Sequence, residues 1–500
     1  MFPSYGPYAY QGWQGASGFS AENPDDPGHG SPQYWAMAER WWTIQDLLAG
    51  TIQIRSKAER YLPRLNNESD NCYQTRINRS VVTPLYQRVI KAAVGLILRK
   101  PIILEGGAEE YWDNWRLNVD RQGSSLDEFI GKVLFSSIAY GHCGFLTDFP
   151  SNEARTLREE IDIAAVPYFI QQQAPNILGW RHSPNEGEGK LQQVRLREFT
   201  TKPEGRFGTE VCRQVRVVEP GSYEVWEEEG YGSNSYNLTE SGSLSIQDIP
   251  LAVVYGQREQ VLVSKPPIEE LAHLNIQHYQ LQASLLNSLH VAAFPLLMLQ
   301  GWDDATNELQ ELSVGNALAM PPEGGASYVE PAANAFDALQ TELNELEEQI
   351  GTLGLTILAR PKASAESGTK AAIDRADTNS MLAQISINCE QALQQAMNWA
   401  GEYAGQEPPK VSIDRDFNAG EVEPQQIAQF ISLYNSNLLD KETTLKLLRR
   451  GEILQDDVDI DEILSATEAE ELDAVEKEVD RLSAMSEIGE GNQPEEGEDE

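Results

Sequence analysis

The sequence predicts an α+β chain, mainly helical, and three observations carry that reading. Apolar residues recur at helical spacing from Ile268 to Ala292, and again from Phe336 to Leu353. Between Pro167 and about Val254 the pattern turns to alternation broken by turn-rich gaps, as antiparallel strands require. Five hundred residues that are 40% apolar can form real cores and allow roughly three domains.

Taken in order, MFPSYGPYAYQGWQG has neither the basic region nor the apolar core of a signal peptide. It reads as an extended arm that orders against a neighbour, or as a floppy end. Tyr34 to Leu48 is an aromatic, apolar helix ended by Gly50. Tyr61-Leu62-Pro63 opens a loop, and Ser69-Asp70 caps a basic helix through Arg76, Arg79 and Arg88 to Leu98. Pro84 breaks or kinks that helix, so one bent helix and two separate ones fit equally. Ser124 or Ser125 caps LDEFIGKVLFSSIAYG, which passes through Gly141 and Gly144 into a strand, FLTDF. PYFIQQQAPNILGW, LQQVRLREFT, CRQVRVVEP, SYEVWEE and LAVVYG are the strands that follow.

Pro266-Pro267 and Glu269-Glu270 mark the start of a long helix, because proline and acid both suit a helix N-terminus. Leu271, Leu274, His278, Leu281, Leu285 and Ala292 form its one narrow apolar stripe. Asn275, Gln277, Gln280, Gln282 and Asn287 give it a neutral polar surface. That surface suits a partly wet contact with copies of itself, or an ordinary solvent-facing helix. After Pro331 a second helix carries a seam of Phe336, Leu339, Leu343, Leu346, Ile350 and Leu353 among five acids, under three heptads long. Between them PLLMLQGW, LSVGNALAMPPEGG and ASYVEP read as short strands and turns, so the unit is a helical hairpin with a β-tip. Gly324-Gly325 and Gly351 to Gly354 read as turns. Glu366 to Tyr403 is a long helix, KVSIDRDF a strand, and Pro424 onward a compact helical module in which Asp440 caps a second helix.

The net charge is −40. Twenty acids against Lys477 and Arg481 after residue 450 supply −18 of it, and EIGEGNQPEEGEDE is a solvated tail by composition. The rest is acidic too, which argues against tight DNA reading, since that relies on phosphate neutralisation. It permits DNA to slide without sticking. No apolar run reaches about 18 residues, so no membrane span is expected.

Catalytic chemistry finds little support. Cys72, Cys143, Cys212 and Cys389 have no metal-like spacing and suit a reducing compartment. The six histidines form no HExxH pair. His273 and His278 lie five apart, off one helical face. Gly141-His142-Cys143-Gly144 lacks a base and orienter, so Cys143 reads as a buried thiol. No phosphate loop or dinucleotide fingerprint exists. Asp456-Asp457 and Asp459-Asp461-Glu462 lack the calcium-loop glycine and spacing, and read as surface acids. No cofactor is expected.

PPIEELAHLNIQHYQLQASLLNSLH resembles the stem helix of tailed-bacteriophage portal proteins, the head-to-tail connector family. YLPRLNNESDNCYQTRINRSVVTPLYQRVIKAAVGLILRKPI resembles an earlier part of them. The order of PYF…PNILGW, the stem helix, LSVGNALAMPPEGGASYVEP, the acidic return helix and ESGTKAAIDRADTNSMLAQISINCEQALQQAMNWA is similar as well. The resemblance spans roughly Tyr61 to Asp457, and its motifs are structural.

That resemblance implies a portal fold with wing, helical stem hairpin, β-containing clip and helical crown. Residues 1–33 would be an N-terminal arm, 34–265 the wing, 266–294 the stem helix and 295–331 the clip. Residues 332–352 would be the return helix, 353–369 a tunnel loop, 370–405 a long wing helix, 406–470 a wing strand and crown, and 471–500 an acidic tail. The implied function is a ring, usually of twelve subunits, at one capsid vertex of a virion assembled in the host cytoplasm. Double-stranded DNA would pass through it without sequence reading. The terminase large subunit, then the tail adaptor, and the major capsid protein would be its partners. Arg360, Lys362 and Lys370 are candidates for the DNA channel. Leu271, Leu274, His278, Leu281, Leu285, Phe336, Leu339, Leu343, Leu346 and Ile350 are candidates for the subunit interface. Another virion ring or scaffold protein, and a metal-dependent nuclease, are the competing classes.

Overall fold

Ser31 opens the first helix: its Oγ accepts from Tyr34 N–H, and Pro32 follows at N1. The computed structural model describes residues 25–150, 166–183, 190–230, 232–292, 296–300, 325–329, 334–358 and 368–415, all within a unit that ends at Arg415. Helix α1 (Pro32–Ala49) stops at Gly50, whose φ of 82° excludes most side chains. Two short helices follow, α2 (Thr51–Ser56) and α3 (Ala58–Tyr61). Ser69 caps α4 (Asp70–Arg79), and Pro84 separates it from α5 (Leu85–Ile97). The proline therefore makes two helices, because 80–84 run extended between them.

Strand β1 (Ile103–Glu105) and α6 (Glu109–Trp115) lead to α7 (Leu126–Tyr140), capped by Ser125. Gly141, at φ 94°, ends α7, and a Cβ there would lie 2.6 Å from Ser264 Oγ. The chain then turns into β2 (His142–Asp148). β3 (Tyr168–Gln173) and β4 (Ile177–His182) are divided by a 3₁₀ turn at Pro175, so PYFIQQQAPNILGW feeds two different sheets. β5 (Leu191–Glu204), β6 (Gly208–Glu219), β7 (Ser222–Glu228) and β8 (Tyr236–Ser243) complete a five-stranded antiparallel meander with β4. β9 (Leu251–Tyr255) joins β3 and β2 in a three-stranded sheet, order β3-β2-β9, and β10 (Gln257–Gln260) pairs with β11 (Val263–Lys265).

Three long helices follow: α8 (Glu269–Ala292), α9 (Asn334–Leu358) and α10 (Gly368–Ala404). β12 (Leu296–Gln300) and β13 (Gly325–Val329) lie between α8 and α9, and β14 (Lys410–Ser412) returns to pair with β1. α7 packs on the β3-β2-β9 sheet, and α10 packs on β2 and β9 as well. His142 to Thr147 are consequently all buried, giving a strand without polar alternation. Phe129, Phe145 and Phe169 meet there with ring centroids 5.2–5.9 Å apart.

Several expectations change. The second hairpin helix does not end near residue 352 but runs to Leu358, so Gly351 and Gly354 are helical rather than turns. Gly354 is used for close approach, since a Cβ on it would sit 2.9 Å from Val89 Cγ2. β8, reading YNLTESGS, lacks apolar alternation because it is an exposed edge strand. Residues 25–31 are tied to the five-stranded sheet: Ser31 N–H donates to Leu178 O, and Arg195 donates to the Pro27 carbonyl. The N-terminal 24 residues, the 301–324 part of the tip, the module after Pro424 and the acid groups near Asp456 and Asp461 lie outside the described residues.

Candidate functional site

The hairpin of α8 and α9 is the most distinctive element, and its geometry begins with the leucine seam. Leu271, Tyr279, Ala283 and Leu285 on α8, with Leu343, Leu346 and Ile350 on α9, are buried. Each large aliphatic side chain so buried contributes about 1.5–3 kcal/mol. His278, itself buried, places Nε2 2.9 Å from Oε1 of Glu347, which bridges the two helices at mid-length. At the far end β12 and β13 pair antiparallel from Leu296↔Val329 to Gln300↔Gly325.

Of the ten interface candidates, Leu271, His278, Leu285, Leu343, Leu346 and Ile350 are buried inside one chain. Leu274, Leu281, Phe336 and Leu339 are half-buried. The seam thus joins the hairpin to itself, because a monomer already needs both apolar stripes covered. Sequence reasoning also missed what the polar face of α8 touches. Asn275 is buried: its Oδ1 accepts from Tyr86 N–H at 3.0 Å and its Nδ2 donates to Thr83 O at 2.9 Å. Tyr279 Oη lies 2.8 Å from Ser80 Oγ, and Gln280 Nε2 donates to Tyr61 O at 2.8 Å. Arg40 and Glu269 form an ion pair at 3.1 Å. Much of the neutral polar surface therefore grips backbone between residues 61 and 86 of the same chain. The groups at Thr83 and Tyr86 lie on either side of Pro84, where helical bonding is lost, and Tyr61 O is at the end of α3.

Beneath that grip, Asp46 is fully buried and accepts from Tyr61 Oη at 2.7 Å, Lys57 Nζ at 2.8 Å and Gln53 Nε2 at 3.0 Å. Burial first, and the Asp46 carboxylate second, push the Tyr61 hydroxyl well above its ordinary range. Arg76 and Glu68, both buried, pair at 2.7 Å. The guanidinium holds the Glu68 carboxyl below the usual carboxylate range against a smaller opposing effect of burial. These networks fix the platform on which the hairpin stands.

The groups with nucleophile or ligand chemistry are placed for packing. Burial lowers His142 to about 3, and its Nδ1 lies 2.7 Å from Ser264 Oγ. Burial raises the Cys143 and Cys389 thiols to about 12. A neutral imidazole and two protonated thiols in an apolar interior do not make a nucleophile and base. All four cysteines are free, and no cluster of three or more metal-ligating side chains occurs among the described residues. No described helix is long and apolar enough to cross a membrane. Of the DNA-channel candidates, Arg360 and Lys362 lie outside the described residues, and Lys370 falls in the first turn of α10.

A family model described as a domain of unknown function (DUF4055) matches residues 267–404, from just before α8 to the last residue of α10. No curated protein matches the chain. Among solved structures, the chain is similar to a chain of the virion of a native gene transfer agent (GTA) particle. The TM-score is 0.40 with 12% identity, over 79% of this chain and 98% of that one. It is similar to a chain of the neck of an empty GTA particle computed with C6 symmetry, at TM-score 0.40 and 12% identity, over 76% and 94%. It is also similar to one of the native GTA neck computed with C12 symmetry, at 0.40 and 11%, over 73% and 89%.

Proposed function

We propose that the chain is a virion neck component of the portal kind, a ring at one capsid vertex through which double-stranded DNA enters and leaves. The observation that supports this reading is the α8–α9 hairpin with its two-stranded tip. It stands between a β-rich body and the long helix α10, in the order that the portal resemblance predicts. In this reading α8 and α9 are the stem, and residues 295–331 the clip that docks the terminase large subunit and later the tail adaptor. The body up to residue 265 is the wing, and the segment after residue 406 leads to a crown facing the capsid interior and its major capsid protein. The chain supplies the channel, and a partner supplies the motor.

The physics suits that task. The −40 charge repels phosphates, so DNA moves in either direction without being held. Arg360, Lys362 and Lys370 are the exceptions near the proposed lumen and would brake leakage of packaged DNA by transient backbone contact. The seam stiffens each stem hairpin from within. Leu274, Leu281, Phe336 and Leu339 at its margin, with the exposed Leu286 and Leu289, are left for the neighbouring subunit.

Labelling the chain in purified particles tests the reading. A single label site per capsid, at the tail vertex, is expected; label spread over the shell would overturn it. Replacing Arg360, Lys362 and Lys370 together with Ala should lower DNA retention in filled heads, and unchanged retention would remove the brake.

A further inference from the structure

Between residues 51 and 100 this strongly acidic chain carries ten Lys and Arg against three acids. Six of these cations are used internally: Lys57 on Asp46, Arg76 on Glu68, Arg64 on Asp70, Lys100 on Asp414, Arg55 on Ser80 O and Arg60 on Thr43 Oγ1. Arg79, Arg88 and Lys91 are exposed and have no ion-pair partner among the described residues. The same stretch of sequence carries two exposed aliphatic side chains, Ile52 at 85% and Val81 at 48%. The Val82 N–H bond to Thr51 Oγ1, 3.1 Å, brings those two segments together.

Helix α9 shows the opposite pattern. It has five acids and no Lys or Arg in 25 residues. Glu347 is taken by His278, while Glu342, Glu345 and Glu348 are exposed and unpaired among the described residues. Glu345, Glu348 and the 43%-exposed Leu353 line one shallow, open concavity.

The two faces also match in spacing and direction. Arg88 and Lys91 are three residues apart, as are Glu342, Glu345 and Glu348, a rise of about 4.5 Å per step. α5 and α9 touch through Val89 and Gly354. Two residues turn a helix by about 200° and nine by about 900°, so Lys91 points away from Val89, and Glu345 away from Gly354, the two residues through which α5 and α9 meet. The basic and acidic faces therefore look outward from opposite flanks of one helix pair, the arrangement that a head-to-tail contact needs.

We propose that these faces join successive copies of this chain, the Arg88–Lys91 face of one subunit seating on the Glu342–Glu345–Glu348 face of the next. The occupant is a second copy, because the complementary charge lies on the chain itself. The exposed Leu353 also flanks the acidic face, which suits contact with a protein surface. The proposal rests on the ring reading above and names the contact that closes the ring.

Charge reversal tests it. Glu345→Lys/Glu348→Lys makes both faces basic, and Arg88→Glu/Lys91→Glu makes both acidic. Each variant alone should retain the wild-type thermal midpoint yet lose at least tenfold in ring fraction at equal subunit concentration. Mixed in equal amounts, they should form rings in which the two chains alternate, read by native mass. Either variant assembling alone like wild type would overturn the contact. So would two folded, non-assembling variants that fail to complement. An Arg88→Glu/Lys91→Glu chain that assembles normally but loses affinity for duplex DNA would overturn it in favour of a phosphate-binding surface. Wild-type rings with indifferent reversals remove this contact alone, whereas a wild type that forms no rings removes the ring reading with it.

Discussion

Asn275 holds Tyr86 across 189 residues of sequence: its Oδ1 accepts the Tyr86 N–H at 3.0 Å. The same carboxamide donates to Thr83 O at 2.9 Å, so it occupies both backbone groups freed around Pro84. Among the contacts of α8 with the body, this amide alone fills both backbone groups at the helix break, which makes the helix sensitive to it. Asn275→Ala leaves a donor and an acceptor buried and unpaired, at about 1–3 kcal/mol each. A loss of about 2–5 kcal/mol in denaturant unfolding is expected, and a change under about 0.5 kcal/mol would show that water replaces the amide without cost.

Asp46 gathers Lys57, Tyr61 and Gln53 in the interior below that grip. Removing one member of a fully buried charge pair costs about 3–5 kcal/mol. Lys57 is 29% exposed, so water screens the stranded ammonium and Asp46→Ala should cost about 1–3 kcal/mol, mostly through the lost hydrogen bonds. Asp46→Ala/Lys57→Met should recover part of it, since the stranded ammonium is gone. Equal stability of the single and double variants would contradict the pairing.

Acid should weaken the fold through His142. Its native value of about 3 lies below the ordinary 6.5, so between these the unfolded chain binds a proton that the native chain refuses. Stability is then full above pH 6.5 and falls as pH drops toward 3, by up to about 1.4 kcal/mol per pH unit for this one group. His142→Asn, which keeps a polar atom near Ser264, should flatten the stability profile between pH 6.5 and 4 by close to one proton. An unchanged slope would assign the acid sensitivity elsewhere.

Thiol labelling reads the burial directly. Cys72 is exposed, while Cys143, Cys212 and Cys389 are buried and burial raises all three thiols. A maleimide should modify one thiol per native chain, at Cys72, and four after denaturation. Fast native labelling of Cys143 or Cys389 would mean that the packing of α10 on β2 opens readily.

The elements most legible in the sequence were those with a local physical cause. Ser69 and Ser125 accept from N–H groups three residues on, and Gly50 and Gly141 end helices at positive φ. The leucine seam announced α8 and α9 by period alone. What the sequence concealed was tertiary. The amides of Asn275 and Gln280 looked like solvent or subunit surface, and only the fold brings them to backbone near Pro84 and Tyr61. Gly354 looked like a turn residue, because its reason for being glycine is Val89, more than 260 positions away. β8 escaped for want of a buried face. At the proposed subunit contact the charges were visible, but not that Arg88 and Lys91 have no ion-pair partner among the described residues while their neighbours do.

The mass and symmetry of the purified chain test the central claim most directly. Native mass spectrometry together with negative-stain class averages should show closed rings of about twelve subunits around a central hole. A compact dimer that resists dilution and shows no hole would contradict the account.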